Sequence, residues 1–220
     1  MRLVLALCSV VFGAACITVP VTETLQPGQS EVGMTLGGPL IAVPGGGPTI
    51  PLPSITVEYR KGGGESWDWS VGTHLLPTAF GALGVHGGAS YRLLDQDAYR
   101  PRLIVTNRLY LFSNHLDGRK PTDSRGFWAN NELLLTGAWD HGAATYYVHL
   151  MEHLDLALPG LVLTPALGAK YRFKEWEFFA EFRWFGANAD NSKAVLQWQG
   201  IGDLGAQAIG LGFSRRFGDK

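Results

Sequence analysis

Between Gln29 and Phe217, apolar side chains recur at every second position, with small or polar residues between them. A period of two belongs to the β-strand, whose successive side chains point to opposite faces. It is plain in Ile55, Val57 and Tyr59 set against Thr56, Glu58 and Arg60, and in Trp67, Trp69 and Val71 set against Asp68, Ser70 and Gly72. It returns in Tyr146, Val148 and Leu150 against Thr145, Tyr147 and His149, and in Leu167, Ala169, Tyr171 and Phe173 against Ala166, Gly168, Lys170 and Arg172. A helical protein cannot keep this pattern over a whole chain.

The alternating stretches number about ten, an even count that lets an antiparallel sheet close on itself. They lie near residues 31–41, 54–60, 67–74, 83–93, 102–112, 127–139, 145–156, 161–173, 176–184 and 204–217. Asn107, Asn131 and Leu134 interrupt the pattern in the fifth and sixth. Connections alternate in length. Compact turns at 61–65, 95–100, 140–143 and 174–175 carry Gly, Asp or charge, and longer segments lie at 42–53, 76–82, 113–125, 155–160 and 186–203. The aromatics Tyr59, Trp67, Tyr91, Trp139, Tyr146, Tyr171, Phe173, Trp176 and Phe217 sit on the apolar face beside the short turns, as a girdle at headgroup level would.

Which face is outside follows from the other face. It carries Glu58, Arg60, Asp68, Arg108, Glu132, Lys170, Arg172, Glu177, Glu181 and Arg183, charges of both signs that compensate one another inside a lumen. They would make a poor lining for an apolar ligand pocket. Charged residues are 17% of the chain, against about 25% in soluble domains. Outside the N-terminus no apolar run reaches the ~18 residues of a membrane helix. The expectation is an all-β, antiparallel up-and-down transmembrane barrel with lipid outside. The net charge of −1, without a long basic block, argues against nucleic acid as a partner.

Arg2, the apolar run 3–12 and the small residues Gly13, Ala14 and Ala15 form an export signal over residues 1–15. Cys16 follows directly, as the acylated Cys of a lipoprotein does, although Gly13 stands where an aliphatic residue usually leads that motif. Residues 16–29, with two prolines and little periodicity, are expected to be a lipidated N-terminus and linker. The barrel then occupies 30–217, with a tail at 218–220. Cys8 lies in the signal, so the mature chain can form no internal disulfide.

Two motif matches do not fit their context. His149, Glu152 and His153 have the H-x-x-E-H spacing, but that zinc chemistry needs a helix, and on a strand Glu152 points away from both histidines. The glycines of 200–205 match G-x-G-x-x-G but lead into alternating small and apolar residues of a strand, where that motif needs a helix. Neither a metal nor a cofactor is expected. Four of the six histidines, His74, His86, His149 and His153, fall on the inward face toward the long loops. They form a hydrogen-bonded lumen network or, with Glu132, a His/acid catalytic pair. Trp198, in the last long loop, either contacts a partner or packs over the barrel mouth.

The whole of 30–217 resembles the small outer-membrane β-barrel proteins of Gram-negative bacteria, and 1–16 resembles their lipoprotein signals. One departure is the end of the chain, where Gly-Asp-Lys follows the aromatic Phe217. The resemblance implies an outer-membrane location with both barrel termini periplasmic, and lipids as the immediate partners. Loops 113–125 and 186–203 would be the surfaces offered to extracellular or envelope partners. The leading function is a non-enzymatic structural, adhesive or envelope-interaction role. The alternatives are a hydrolase of the lipid-deacylase or protease kind, and a soluble or peripheral barrel binding an apolar ligand.

Overall fold

A computed structural model describes residues 17–42, 49–76, 83–113, 127–155, 161–191 and 198–218. Its strands are β1 (Ser30–Ala42), β2 (Thr49–Pro51), β3 (Ser54–Gly62), β4 (Trp67–His74), β5 (Leu83–Leu94), β6 (Arg102–Ser113), β7 (Phe127–His141), β8 (Ala144–Asp155), β9 (Leu161–Phe173), β10 (Trp176–Asp190) and β11 (Leu204–Phe217). All but β2 pair antiparallel with their neighbours in chain order. β11 then closes on β1, from Ser30 opposite Phe217 to Pro39 opposite Ala208. The result is a closed up-and-down barrel of ten strands, and closure removes the sheet edges that lipid could not satisfy. The compact turns and the barrel termini share one end, called the turn end below; the longer connections share the other, the loop end.

Alternation sorts the side chains as expected. Val32, Leu36, Val71, Val148, Leu167, Leu211 and the girdle residues Trp67, Tyr91, Tyr146, Tyr171 and Phe173 are exposed on the exterior. Inside, Glu31, Glu58, Arg60, Asp68, Arg108, Glu132, Lys170, Glu177, Glu181 and Arg183 are buried. Buried apolar side chains, Tyr110, Phe112, Leu134, Met151 and Phe179 among them, share the interior with these charges. An apolar exterior around a charged interior is the arrangement that lipid demands of a barrel.

Asn107 and Asn131 keep the alternation and face outward. Asn107 Nδ2 donates to Asn131 Oδ1 (3.1 Å) and to the Glu132 carbonyl (3.1 Å). Asn131 Nδ2 donates to Asn107 Oδ1 (3.3 Å) and to the Arg108 carbonyl (3.2 Å). The two amides thus spend their N–H donors on each other and on the ladder, which lets them sit on an apolar face.

Two segments differ from the sequence expectation. Part of the long connection 42–53 is strand: β2 folds back on β1, with Ile50 opposite Ile41. β10 runs on to Asp190 past an irregularity after Phe185, so the loop expected at 186–203 begins later. The signal, Cys16, residues 114–125 of the loop expected at 113–125, and residues 192–197 lie outside the described residues.

The larger difference concerns the expected linker. Ile17, Thr18, Val19, Val21, Thr22, Thr24 and Leu25 are all buried, because the chain runs through the lumen before it enters β1. Small residues on the wall make room for it. A Cβ at Gly33 would come within 2.6 Å of Val19 Cγ2, and one at Gly210 within 2.9 Å of Ile17 Cγ2. Gly210 lies seven residues along β11 from Phe217, roughly 23 Å of strand at ~3.3 Å per residue. Eight strands enclose about what side chains can fill, and ten enclose more. Here a piece of chain takes up that space.

Candidate functional site: the occupied lumen

Arginines on several strands hold the luminal segment, and most of them grip its main chain. Arg108 Nη2 on β6 donates to the Val19 carbonyl (3.4 Å), Arg102 Nη1 to that of Thr22 (3.0 Å), and Arg60 Nη2 on β3 to that of Glu23 (2.9 Å). In return the Leu25 N–H donates to Asp68 Oδ2 at 2.9 Å. A segment that makes no ladder of its own must find partners for its buried peptide groups, and these side chains supply them. Each arginine is also fixed on the wall. Arg60 pairs with Glu31 (3.1 Å) and Asp68 (2.6 Å), and Arg102 with Asp140 (2.5 Å).

At the turn end the contact changes from main chain to side chain. The Glu23 carboxylate accepts from both Arg172 on β9 and Arg216 on β11. Glu177 on β10 shares the same arginines, taking Arg172 Nε at 2.7 Å and Arg216 Nη2 at 3.1 Å, with Lys170 Nζ at 3.4 Å. A 270 Å3 cavity opens beside this cluster, lined by Gln29, Arg172, Lys174, Glu177 and Arg216 among others.

The inward histidines form two hydrogen-bonded chains. In the first, Thr56 Oγ1 meets His74 Nδ1 (3.1 Å), His74 Nε2 meets His86 Nδ1 (3.1 Å), and His86 Nε2 lies 3.6 Å from Glu58 Oε2. One tautomer set satisfies both hydrogen bonds, with Thr56 donating to His74 and His74 to His86, while His86 and Glu58 meet at ion-pair distance only. Arg108 continues the chain, lying 3.6 Å from Glu58 Oε1 and donating to Glu132 Oε1 at 2.8 Å. Tyr110 O–H donates to Glu132 Oε2 (3.0 Å). Glu132 thus serves Arg108 and Tyr110, on a different network from His149.

In the second chain Thr136 Oγ1 meets His149 Nδ1 (2.9 Å), His149 Nε2 meets Glu181 Oε2 (2.9 Å), and Arg183 Nε donates to Glu181. Hydroxyl, imidazole and carboxylate in that order also describe an acyl-transfer triad. Thr136 is 0% exposed, which gives a substrate carbonyl no open approach to its Oγ1 in this structure. The trio cross-links β7, β8 and β10. His149→Ala is expected to cost about 1–3 kcal/mol by leaving neighbours unsatisfied, read by urea unfolding, with any ester or peptide hydrolysis unchanged. Loss of such an activity would make the trio catalytic. His153 pairs in the ladder with Glu132 and Val162, while its side chain lies outside what is described. Among the described residues no group of His, Cys, Asp and Glu is arranged to hold a metal ion. Trp198 is half-buried and bridges Ile41 at the loop end.

Sequence reasoning identified the luminal charges and histidines by parity. It missed Glu23, Arg102 and Arg216 as anchors, and the segment they hold. The two prolines, Pro20 and Pro27, and the number of inward charges were the available signals.

No protein-family description matches this chain, and no curated protein sequence does. Among solved structures it is similar to the translocator domain of the autotransporter NalP from Neisseria meningitidis, at 12% identity and a TM-score of 0.45 over 98% of this chain and 94% of that one. The NanC porin gives 10% identity and a TM-score of 0.45 over 84% and 98%. Ail, the attachment invasion locus protein of Yersinia pestis, gives 8% and 0.29 over 87% and 100%.

Proposed function

We propose that this chain is a non-enzymatic outer-membrane barrel with its turn end in the periplasm, closed by its own N-terminal segment, serving a structural, adhesive or envelope-interaction role. The observation that carries this reading is the burial of residues 17–25 inside a polar lumen whose outer wall is apolar. A barrel that spends its lumen on its own chain leaves its two mouths and its loops as working surfaces. The loop end, with 113–125 and 186–203, then faces outward to partners. Gel mobility of the outer-membrane fraction in mild SDS tests the barrel. A shift that depends on boiling is expected, whereas recovery in the soluble fraction without a shift would refute a lipid-embedded barrel.

The luminal segment also bears on Cys16. An acyl group on Cys16 seated in the inner leaflet requires Ile17 at the periplasmic surface, whereas Ile17 is buried against Gly210. The segment therefore favours a signal removed without acylation, contrary to the lipoprotein expected from sequence. Metabolic labelling with palmitate is expected to leave the folded barrel unlabelled. Label that disappears in Cys16→Ser would restore the lipid anchor and place residues 17–25 outside the lumen.

A further inference from the structure

We infer that the lumen is a binding site for a peptide segment carrying one carboxylate, and that residues 17–25 are the resident occupant of a site able to take such a peptide in trans. This inference rests on the closed-barrel reading above and adds a ligand class to it. Three guanidinium groups read carbonyls, those of Val19, Thr22 and Glu23, and Asp68 reads the Leu25 N–H. Main-chain contacts of this kind are blind to the identity of the side chain that follows. The segment forms neither helix nor strand and bends at Thr22–Glu23, so a ligand has to present its carbonyls through the same bend.

Selectivity comes from two further features. The Glu23 carboxylate is the side chain gripped by charge, held between Arg172 and Arg216, so a ligand needs an Asp or Glu at that point. Above it, Gly33 and Gly210 leave recesses that Val19 and Ile17 fill, and a β-branched side chain fits each. Pro20 offers no N–H and is buried, so that position asks nothing of a ligand's donor. The route in is the cavity beside Arg172, Lys174 and Arg216 at the turn end. Its rim mixes these cations with Glu175 and Glu177, and Arg172 and Arg216 are the partners a guest carboxylate would take over from Glu23. The ligand class is a periplasmic polypeptide segment, apolar and β-branched, with one carboxylate near its C-terminal side.

The test uses the barrel lacking residues 17–25, refolded in detergent, and a fluorescent peptide of sequence 17–29. Saturable binding by anisotropy is expected, weakened at least about ten-fold when the peptide carries Glu23→Lys, as loss of a charge-assisted contact implies. No binding, or equal binding of both peptides, would overturn the inference. If the shortened barrel does not fold, the full chain with Glu23→Lys keeps the segment but loses its anchor. The unaltered peptide should then bind that variant and not the wild-type barrel, and equal titration of both, or of neither, would overturn the inference. A shortened barrel that conducts ions yet binds no peptide would defeat the trans site and leave closure by residues 17–25 standing. A wild-type barrel that conducts freely would defeat closure itself.

Discussion

Deleting residues 17–25 is expected to turn a barrel that passes almost no current into one with long-lived open steps in planar bilayers. The segment buries Ile17, Val19, Val21 and Leu25 along the lumen and ties itself to the wall through Arg60, Arg102, Arg108, Arg172 and Arg216. Removing it leaves ten strands' worth of interior without its filling, and the freed arginines hydrate. The mean current should rise by at least about ten-fold, since a ten-stranded lumen exceeds what wall side chains alone occupy. A milder change points the same way. Glu23→Arg sets a third guanidinium beside Arg172 and Arg216, and like-charge repulsion should loosen the turn-end half of the segment and give intermittent openings. If the deletion stays silent, the wall side chains close the barrel unaided and the segment is a passenger.

The second large effect is expected at Arg108. It is 1% exposed and lies between Glu58 and Glu132, and the Nη2 that faces Glu58 also donates to the Val19 carbonyl. Arg108→Leu leaves two carboxylates in the lumen without their shared cation. Breaking a buried pair from one side costs about 3–5 kcal/mol, far more than the intact pair contributes. Urea unfolding in lipid vesicles should show a loss of that size, and boiling-dependent mobility should be lost at lower temperature. Adding Glu58→Gln and Glu132→Gln to Arg108→Leu should recover more than half of it, because the uncompensated charge is what destabilises. An Arg108→Leu barrel as stable as the wild type would mean that water already reaches the cluster.

The strands could be read from the sequence because lipid leaves one rule for each exterior position and closure leaves one for each strand. Tyr59, Trp67, Tyr146 and Tyr171 therefore fell on the correct face from parity alone, as did Glu58, Arg108 and His149. Even Asn107 and Asn131 obey parity; what sequence hid was that each satisfies the other. The pairings inside the lumen were hidden for a different reason. Thr136, His149 and Glu181 meet because β7, β8 and β10 present the same height to the lumen, which depends on register and barrel tilt. Residues 17–25 were hidden most deeply. A segment without regular structure, surrounded on all sides, carries no period, and its burial is set by Arg102, Arg172 and Arg216, far away in sequence.

The placement of that segment carries most of the account, and thiol accessibility measures it directly. Val21 is 1% exposed within the lumen. Val21→Cys in a Cys16→Ser background, folded in the membrane and treated with a bulky maleimide, is expected to stay unlabelled until the barrel is boiled. Rapid labelling of the folded, heat-modifiable barrel would place residues 17–25 outside the lumen and contradict closure by the chain's own N-terminus.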